Sequence, residues 1–162
     1  MLLAILFSNF AGHIILKRFN GVPSEERLHW RTFLVKLGAD NLKGARNEER
    51  AFCFFTKNSN SITSMNLVVK FKSVYIVYTV LGGVRIYIVG KDEYDELALT
   101  EVMFVITSSI KDACGKSPSE RLFLDKYGKI CLCLDEIGIL ENTEKDRIRR
   151  RIGLKPPNPT EI

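Results

Sequence analysis

The sequence of 162 residues lacks the features that identify several large classes of protein. It has no uninterrupted apolar run near the roughly 18 residues that a transmembrane helix needs. Its apolar amino terminus, residues 1–7, has no basic start and is followed by Ser8-Asn9 rather than by a small-residue cleavage site. That pattern argues against a secretory signal peptide, so we expect a cytoplasmic protein.

Motifs of common catalytic and phosphate-binding sites are absent as well. The spacing of a Walker-type phosphate loop does not occur, no GxGxxG follows a strand, and no serine lies in a GxSxG turn. Gly82-Gly83 and Gly90-Lys91 are better explained as a hairpin turn and a strand end. Cys114 lies at the predicted carboxyl end of a helix, where the helix dipole opposes a thiolate and therefore an activated thiol.

An acidic cluster after the last predicted strand is the other candidate for acid–base chemistry. Its carboxylates fall in the first turn of a predicted helix, where negative charge is stabilised by the helix dipole. No histidine or metal motif accompanies them, so we assign them to the helix terminus. The sequence therefore predicts a protein that is not an enzyme, with no catalytic, cofactor-binding or metal-binding residues. The cluster consists of Asp92, Glu93, Asp95 and Glu96.

Residues that bind transition metals are few: two histidines and four cysteines. The cysteines include a CxC, but no CxxC pair, and both histidines are distant from them in sequence. We expect buried structural thiols in a reducing compartment and no cofactor. The cysteines are Cys53, Cys114, Cys131 and Cys133.

The net charge of +5 is unevenly distributed. Residues 1–81 carry 11 basic and 5 acidic side chains, whereas residues 82–162 carry 13 and 14. A basic cluster at Lys145–Lys155 is open to two interpretations: a solvated helix face, or a patch that binds lipid or an acidic protein. Aromatic residues fall at positions that face the core and do not alternate with Lys and Arg on one strand face, so we expect no nucleic-acid partner. We also expect no small-molecule substrate.

Apolar and β-branched runs predict five strands. The first, 2–7, is continuously apolar and is expected at the centre of a sheet with both faces covered, and the second, 13–19, nearer an edge. After a long gap, three further strands form a meander, with Gly82-Gly83 as the last hairpin turn. These three strands are predicted at 67–71, 74–80 and 84–89.

Helical periodicity predicts one helix between the second and third strands and a helical carboxyl-terminal half. The first helix begins at Ser24, places Trp30 and Phe33 toward the core and ends at Gly38. The later elements are a helix capped by Asp92, a short turn or helix at 119–124, a helix opened by Asp125 with Tyr127, Ile130, Cys131, Leu134 and Ile137 on one face, and a final amphipathic helix from Thr143.

Residues 39–66 have no dominant period and predict a long, irregular loop. The order of elements is then ββαβββααα, an α+β fold with a five-stranded antiparallel sheet flanked by helices. We expect a single domain over residues 1–155 and a flexible, proline-rich tail over 156–162.

The order and spacing of several short motifs resemble the small (sigma/zeta-like) subunits of heterotetrameric vesicle-coat adaptors, which have the longin, or SNARE-like, fold. Individually each motif is weak, but together they cover nearly the whole chain. Three longer stretches, 25–31, 38–44 and 125–137, look most like the small subunit of plant TPLATE (TSET-type) complexes. The short motifs are 1–7 with Phe19, Glu25-Glu26-Arg27, Lys72-Ser73-Val74-Tyr75, 95–101, 134–137 and Glu141-Asn142-Thr143.

The resemblance implies a non-catalytic subunit acting in clathrin-mediated endocytosis. Its implied partners are the large and medium subunits of an adaptor complex, with peripheral recruitment to the plasma membrane or clathrin-coated vesicles through that complex. The alternative is a free-standing longin module of a tethering or SNARE/GTPase-regulatory complex. Two departures from the family are an irregular insertion at about residues 50–66 and a short connection between Ile137 and Leu140. The family's groove for dileucine sorting signals does not transfer residue by residue, so no binding residues are assigned.

Overall fold

An antiparallel β-sheet lies between two layers of helices. The computed structural model describes residues 2–42, 52–56, 64–91 and 94–138. Within these ranges the sheet has six strands in the order β2-β1-β6-β5-β4-β3, and each neighbouring pair is antiparallel. The strands are β1 Leu2–Ser8, β2 Ile14–Phe19, β3 Phe52–Thr56, β4 Ser64–Phe71, β5 Val74–Leu81 and β6 Val84–Lys91.

The helices occupy both faces of this sheet. Helix α1, Ser24–Leu42, packs alone among the described helices on one face, where Leu34 is fully buried against residues such as Tyr87. Helices α2 (Glu96–Cys114), α3 (Glu120–Asp125) and α4 (Tyr127–Gly138) cover the other face. Strand β6 is buried on both sides, because Ile86 and Ile88 join the α2 cluster while Tyr87 and Val89 join the α1 cluster.

The α+β class and all five expected strands are confirmed, and β1 is a central strand between β2 and β6. The structure adds β3 at the sheet edge, inside the segment that the sequence predicts to be irregular. Its run Phe52-Cys53-Phe54-Phe55 has the aromatic content typical of strands. Strand β4 also begins at Ser64, earlier than predicted, and the added length pairs with β3. The expectation of an irregular 50–66 is thus wrong for Phe52–Thr56.

The carboxyl-terminal limit of α1 differs from the prediction. Gly38 does not cap the helix, which continues to Leu42. Gly38 instead lies against the ring of Tyr87, and a Cβ at this position would lie 2.9 Å from two ring carbons. Close packing between α1 and β6 therefore requires glycine at this position. The sequence pattern of the helix alone does not reveal this contact.

Two helix starts in the second half also differ. Helix α2 begins at Glu96 and its N-cap is Asp95, not Asp92. Asp125 ends α3 instead of opening a helix, and α4 begins at Tyr127. Tyr127 is 38% exposed and does not share the buried face of Ile130, Leu134 and Ile137. The final helix from Thr143, the Lys145–Lys155 cluster and the tail 156–162 lie outside the described residues and stay predictions.

Replacing Gly38 by alanine tests the close contact between α1 and β6. Alanine has the higher helix propensity, but its Cβ overlaps the Tyr87 ring, so we expect a net loss of about 1–3 kcal/mol in the free energy of unfolding. Chemical denaturation followed by circular dichroism measures it. Gly128→Ala in α4 is the matched control, because its Cβ meets nothing within 4 Å. Equal effects of the two substitutions would contradict the packing role.

Candidate partner-docking surface

A concave groove opens between the first half of α1 and the β4–β5 turn. Its volume is about 390 Å³. Partly buried Trp30, Phe33 and Phe71 form an apolar wall, and exposed polar side chains form the rim. We call this the α1 groove; its lining residues are Glu25, Glu26, His29, Trp30, Phe33, Phe71, Lys72, Ser73 and Val74.

The aromatic wall is held by ring-to-ring packing between two elements. The ring centroids of Phe33 and Phe71 lie 4.8 Å apart, and the Trp30 ring meets both edge-on at 6.1 and 6.4 Å. Such tilted and edge-on pairs are the favoured geometries for aromatic rings. The wall therefore offers a fixed apolar surface that does not need to rearrange when a partner side chain is placed on it.

Charges of opposite sign lie on the two sides of the groove. Glu25 and Glu26 are exposed in the first turn of α1, and neither makes an ion pair with another described residue. Across the groove, the Lys72 ammonium lies 5.4 Å from the centre of the Phe71 ring. Lys72 has φ 53°, a left-handed conformation that a tight two-residue turn imposes here. An apolar anchor flanked by a basic residue would complement the acidic side.

A second, smaller groove of about 310 Å³ lies between the β1–β2 pair and α4. Its lining is mostly apolar, with Leu3, Phe19 and Leu134 among the lining residues. An ion pair connects the two sides, because Arg18 Nε donates to Asp135 Oδ1 over 3.3 Å. This ion pair links β2 to α4. Among the described residues that line the groove, Arg18 alone is charged.

The acidic cluster serves the start of α2. The Asp95 carboxylate accepts a hydrogen bond from the Ala98 backbone N–H at 2.9 Å, which is the N-cap arrangement, and Glu96 occupies the first helical turn. Asp92 and Glu93 lie outside the described residues. Gly82-Gly83 forms the β5–β6 turn and Gly90-Lys91 ends β6, both as predicted.

Burial disfavours the thiolate form of two cysteines, Cys114 and Cys133. Burial raises the pKa of the Cys133 thiol to about 12 and also raises the pKa of the Cys114 thiol. For Cys114 burial is therefore the cause, where the sequence suggested the helix dipole. No set of three or more His, Cys, Asp and Glu side chains within the described ranges is arranged to hold a metal ion.

Sequence comparisons identify relatives in coat complexes. Protein-family models give no match. The TSET complex member tstD of Dictyostelium discoideum is 28% identical over 164 residues, which covers 98% of this chain and 96% of that protein. Coatomer subunit zeta-3 of Oryza sativa subsp. japonica is 28% identical over 89 residues, 53% of this chain and 50% of that protein. The chain is homologous to coat-complex subunits.

A structural comparison supports the same fold. One chain in a homology model of the full-length AP-3 complex, in a stretched open conformation, matches with a TM-score of 0.60 over 94% of this chain and 92% of that chain. The sequence identity is 16%, so this likeness concerns the fold alone. It confirms the adaptor-subunit fold that the motifs imply. None of the helices in the described ranges is both long and apolar enough to cross a bilayer.

The grooves gather residues that are separated in sequence, and sequence reasoning therefore missed both. The α1 groove joins 25–33 to 71–74, and Trp30 and Phe33 were predicted as core residues on periodicity. The one available signal is the resemblance, because two of its motifs, Glu25-Glu26-Arg27 and Lys72-Ser73-Val74-Tyr75, contribute residues to this groove.

Alkylation of the folded chain checks the burial of Cys133. A pKa of about 12 leaves roughly one thiol in 10,000 ionised at pH 8, so Cys133 should stay unmodified by iodoacetamide while Cys131, which is partly exposed, reacts. Peptide mass mapping after a timed quench measures both. In denaturant Cys133 should react like the others; modification of Cys133 at the rate of Cys131 in the folded chain would contradict the structure.

Proposed function

We propose that the protein is the non-catalytic small subunit of a TSET-type (TPLATE-like) adaptor complex in clathrin-mediated endocytosis. The observation that carries this proposal is the similarity to a TSET complex member, which extends over 98% of this chain. The coatomer relative matches only about half of the chain, and this favours a TSET-type assembly over a coatomer-type one. The partners are then the large and medium subunits, and the complex brings this chain to the plasma membrane or to clathrin-coated vesicles.

The surface of the chain supports a role in assembly. The α1 groove exposes an aromatic wall next to two carboxylates that make no ion pair with another described residue, and large apolar side chains such as Leu28 (66%) and Leu97 (68%) are exposed elsewhere. Permanent hetero-complexes bury more than about 2,000 Å² and place apolar and aromatic residues at the centre of the interface. The α1 groove fits such an anchor point, with a partner's apolar side chain on the aromatic wall and a Lys or Arg beside Glu25 and Glu26.

Co-expression with the large subunits of a TSET-type complex tests the function. A tag on this chain should recover a large subunit in stoichiometric amount, measured by size-exclusion chromatography and mass spectrometry. If the chain elutes as a monomer and binds none of the adaptor large subunits, the proposal is overturned and a free-standing longin module is favoured.

A charge reversal tests the groove within that assay. Glu26→Lys places a cation where the partner's base is expected, so we expect recovery of the large subunit to fall by about tenfold or more. Glu96→Lys is the control, because it removes the same kind of first-turn acid from α2, on the other face of the sheet. If Glu26→Lys, Glu96→Lys and the unmodified chain all recover the same amount of large subunit, the α1 groove is not part of the interface. The proposed function would still stand.

A further inference from the structure

Arg85 is a largely buried cation that makes no ion pair with any described carboxylate. Its side chain is on β6, two residues before Tyr87 and hence on the α1 face of the sheet, and it is only 9% exposed. The guanidinium lies 5.1 Å from the centre of the Phe10 ring, and its Nε has no hydrogen-bond acceptor within the part of the chain that the structure describes. A buried charge is ordinarily paired, because removing it from water is costly. The buried Nε of Arg85, which has no acceptor among the described residues, therefore calls for an explanation.

The strand register defines what surrounds this guanidinium. Arg85 lies opposite Ser8 of β1 and opposite Val80 of β5. The Ser8 hydroxyl is also fully buried and has no hydrogen-bond partner among the described residues. Phe10 and Val80, by contrast, are 53% and 41% exposed. We call these four residues the Arg85 socket: two unsatisfied polar groups below, and two exposed apolar side chains at the rim.

The socket and the α1 groove lie on the same face of the sheet, near opposite ends of α1. The groove is next to the β4–β5 turn, at the start of the helix. The socket is next to the β1–β2 turn, where Gly12 approaches Val35 in the second half of the helix. A partner that extends along α1 can therefore reach both.

We propose that the Arg85 socket receives an acidic side chain, Asp or Glu, from the large subunit. This inference deepens the proposed function and rests on it. A carboxylate accepts hydrogen bonds from the guanidinium in a charge-assisted pair, the strongest kind available to Arg. The Ser8 hydroxyl supplies a further donor, and Phe10 and Val80 contact the apolar part of the incoming residue. The partner thereby provides the counter-charge that the described part of this chain lacks.

A carboxylate explains the socket better than a lipid phosphate does. Anionic membranes are held by clusters of exposed Lys and Arg. The socket contains one cation, which is nine-tenths buried, and its rim residues Phe10 and Val80 are uncharged. Such a site accepts a single projecting side chain and is poorly suited to a flat, charged surface.

The substitution Arg85→Met separates this inference from a purely structural role. Methionine has a similar length and no charge, so the free chain loses a costly buried cation, and we expect its Tm to rise by about 2–4 °C. The complex loses its buried pair, so the affinity for the TSET-type large subunit should fall by about tenfold or more. Phe10→Ala, at an exposed rim position, should weaken binding without a comparable rise in Tm. Lys129→Gln, an exposed cation on α4, should change neither quantity.

The outcomes are distinguishable by thermal unfolding of the free chain and by the Kd for the large subunit. Equal Kd values for Arg85→Met and the unmodified chain would overturn this inference and leave the proposed function standing. If Arg85→Met lowers the Tm of the free chain and also abolishes binding, Arg85 stabilises the fold of this chain itself. That result would also overturn the inference. If Arg85→Met no longer sediments with phosphatidylserine vesicles but keeps the Kd of the unmodified chain for the large subunit, the socket binds lipid and the inference is overturned. Failure of the unmodified chain to bind any adaptor large subunit would overturn both proposals.

Discussion

The burial of the central strands on both faces is the constraint on which the rest of the structure depends. Ile86 to Val89 of β6 are fully buried although successive side chains point to opposite faces. Each face therefore needs its own helical layer, and on one face the only described helix is α1. Six strands about 4.8 Å apart extend over about 24 Å, whereas one helix covers about 10 Å. Among the described residues, nothing covers the rest of the α1 face beside the helix, where the α1 groove and the Arg85 socket lie.

Features set by neighbouring residues were predictable, and features set by distant strands were not. The Gly82-Gly83 hairpin and the five strand positions follow from turn chemistry and side-chain alternation. Residue chemistry alone placed the start of α2 at Asp92, whereas the structure places its N-cap at Asp95. Gly38 resembles a helix cap until Tyr87 is placed against it. Arg85 likewise looks like an ordinary strand cation until the register sets it against Ser8 and Val80.

The low identities of the relatives agree with what maintains this fold. A pattern of buried apolar positions, turns and caps tolerates extensive substitution so long as volume and patterning are kept. A chain can therefore share a TM-score of 0.60 with an AP-3 complex chain at 16% identity. Partner recognition depends instead on exposed or unsatisfied groups such as Glu26 and Arg85, which the fold does not require. For that reason the docking chemistry has to be derived from this chain's own residues.

A largely buried cation with no counter-charge among the described residues affects assembly as well as affinity. With the proposed carboxylate in place, the desolvation cost of Arg85 is offset in the complex and remains unopposed in the free chain, so binding selectively stabilises the assembled state. A partner without an acid at that position would leave the guanidinium unpaired beneath Phe10 and would be rejected for that reason. The aromatic wall of the α1 groove cannot discriminate in this way, because apolar contacts tolerate many side chains. The aromatic wall would then supply apolar contact, and the charged groups Glu25, Glu26 and Arg85 would supply the choice of partner.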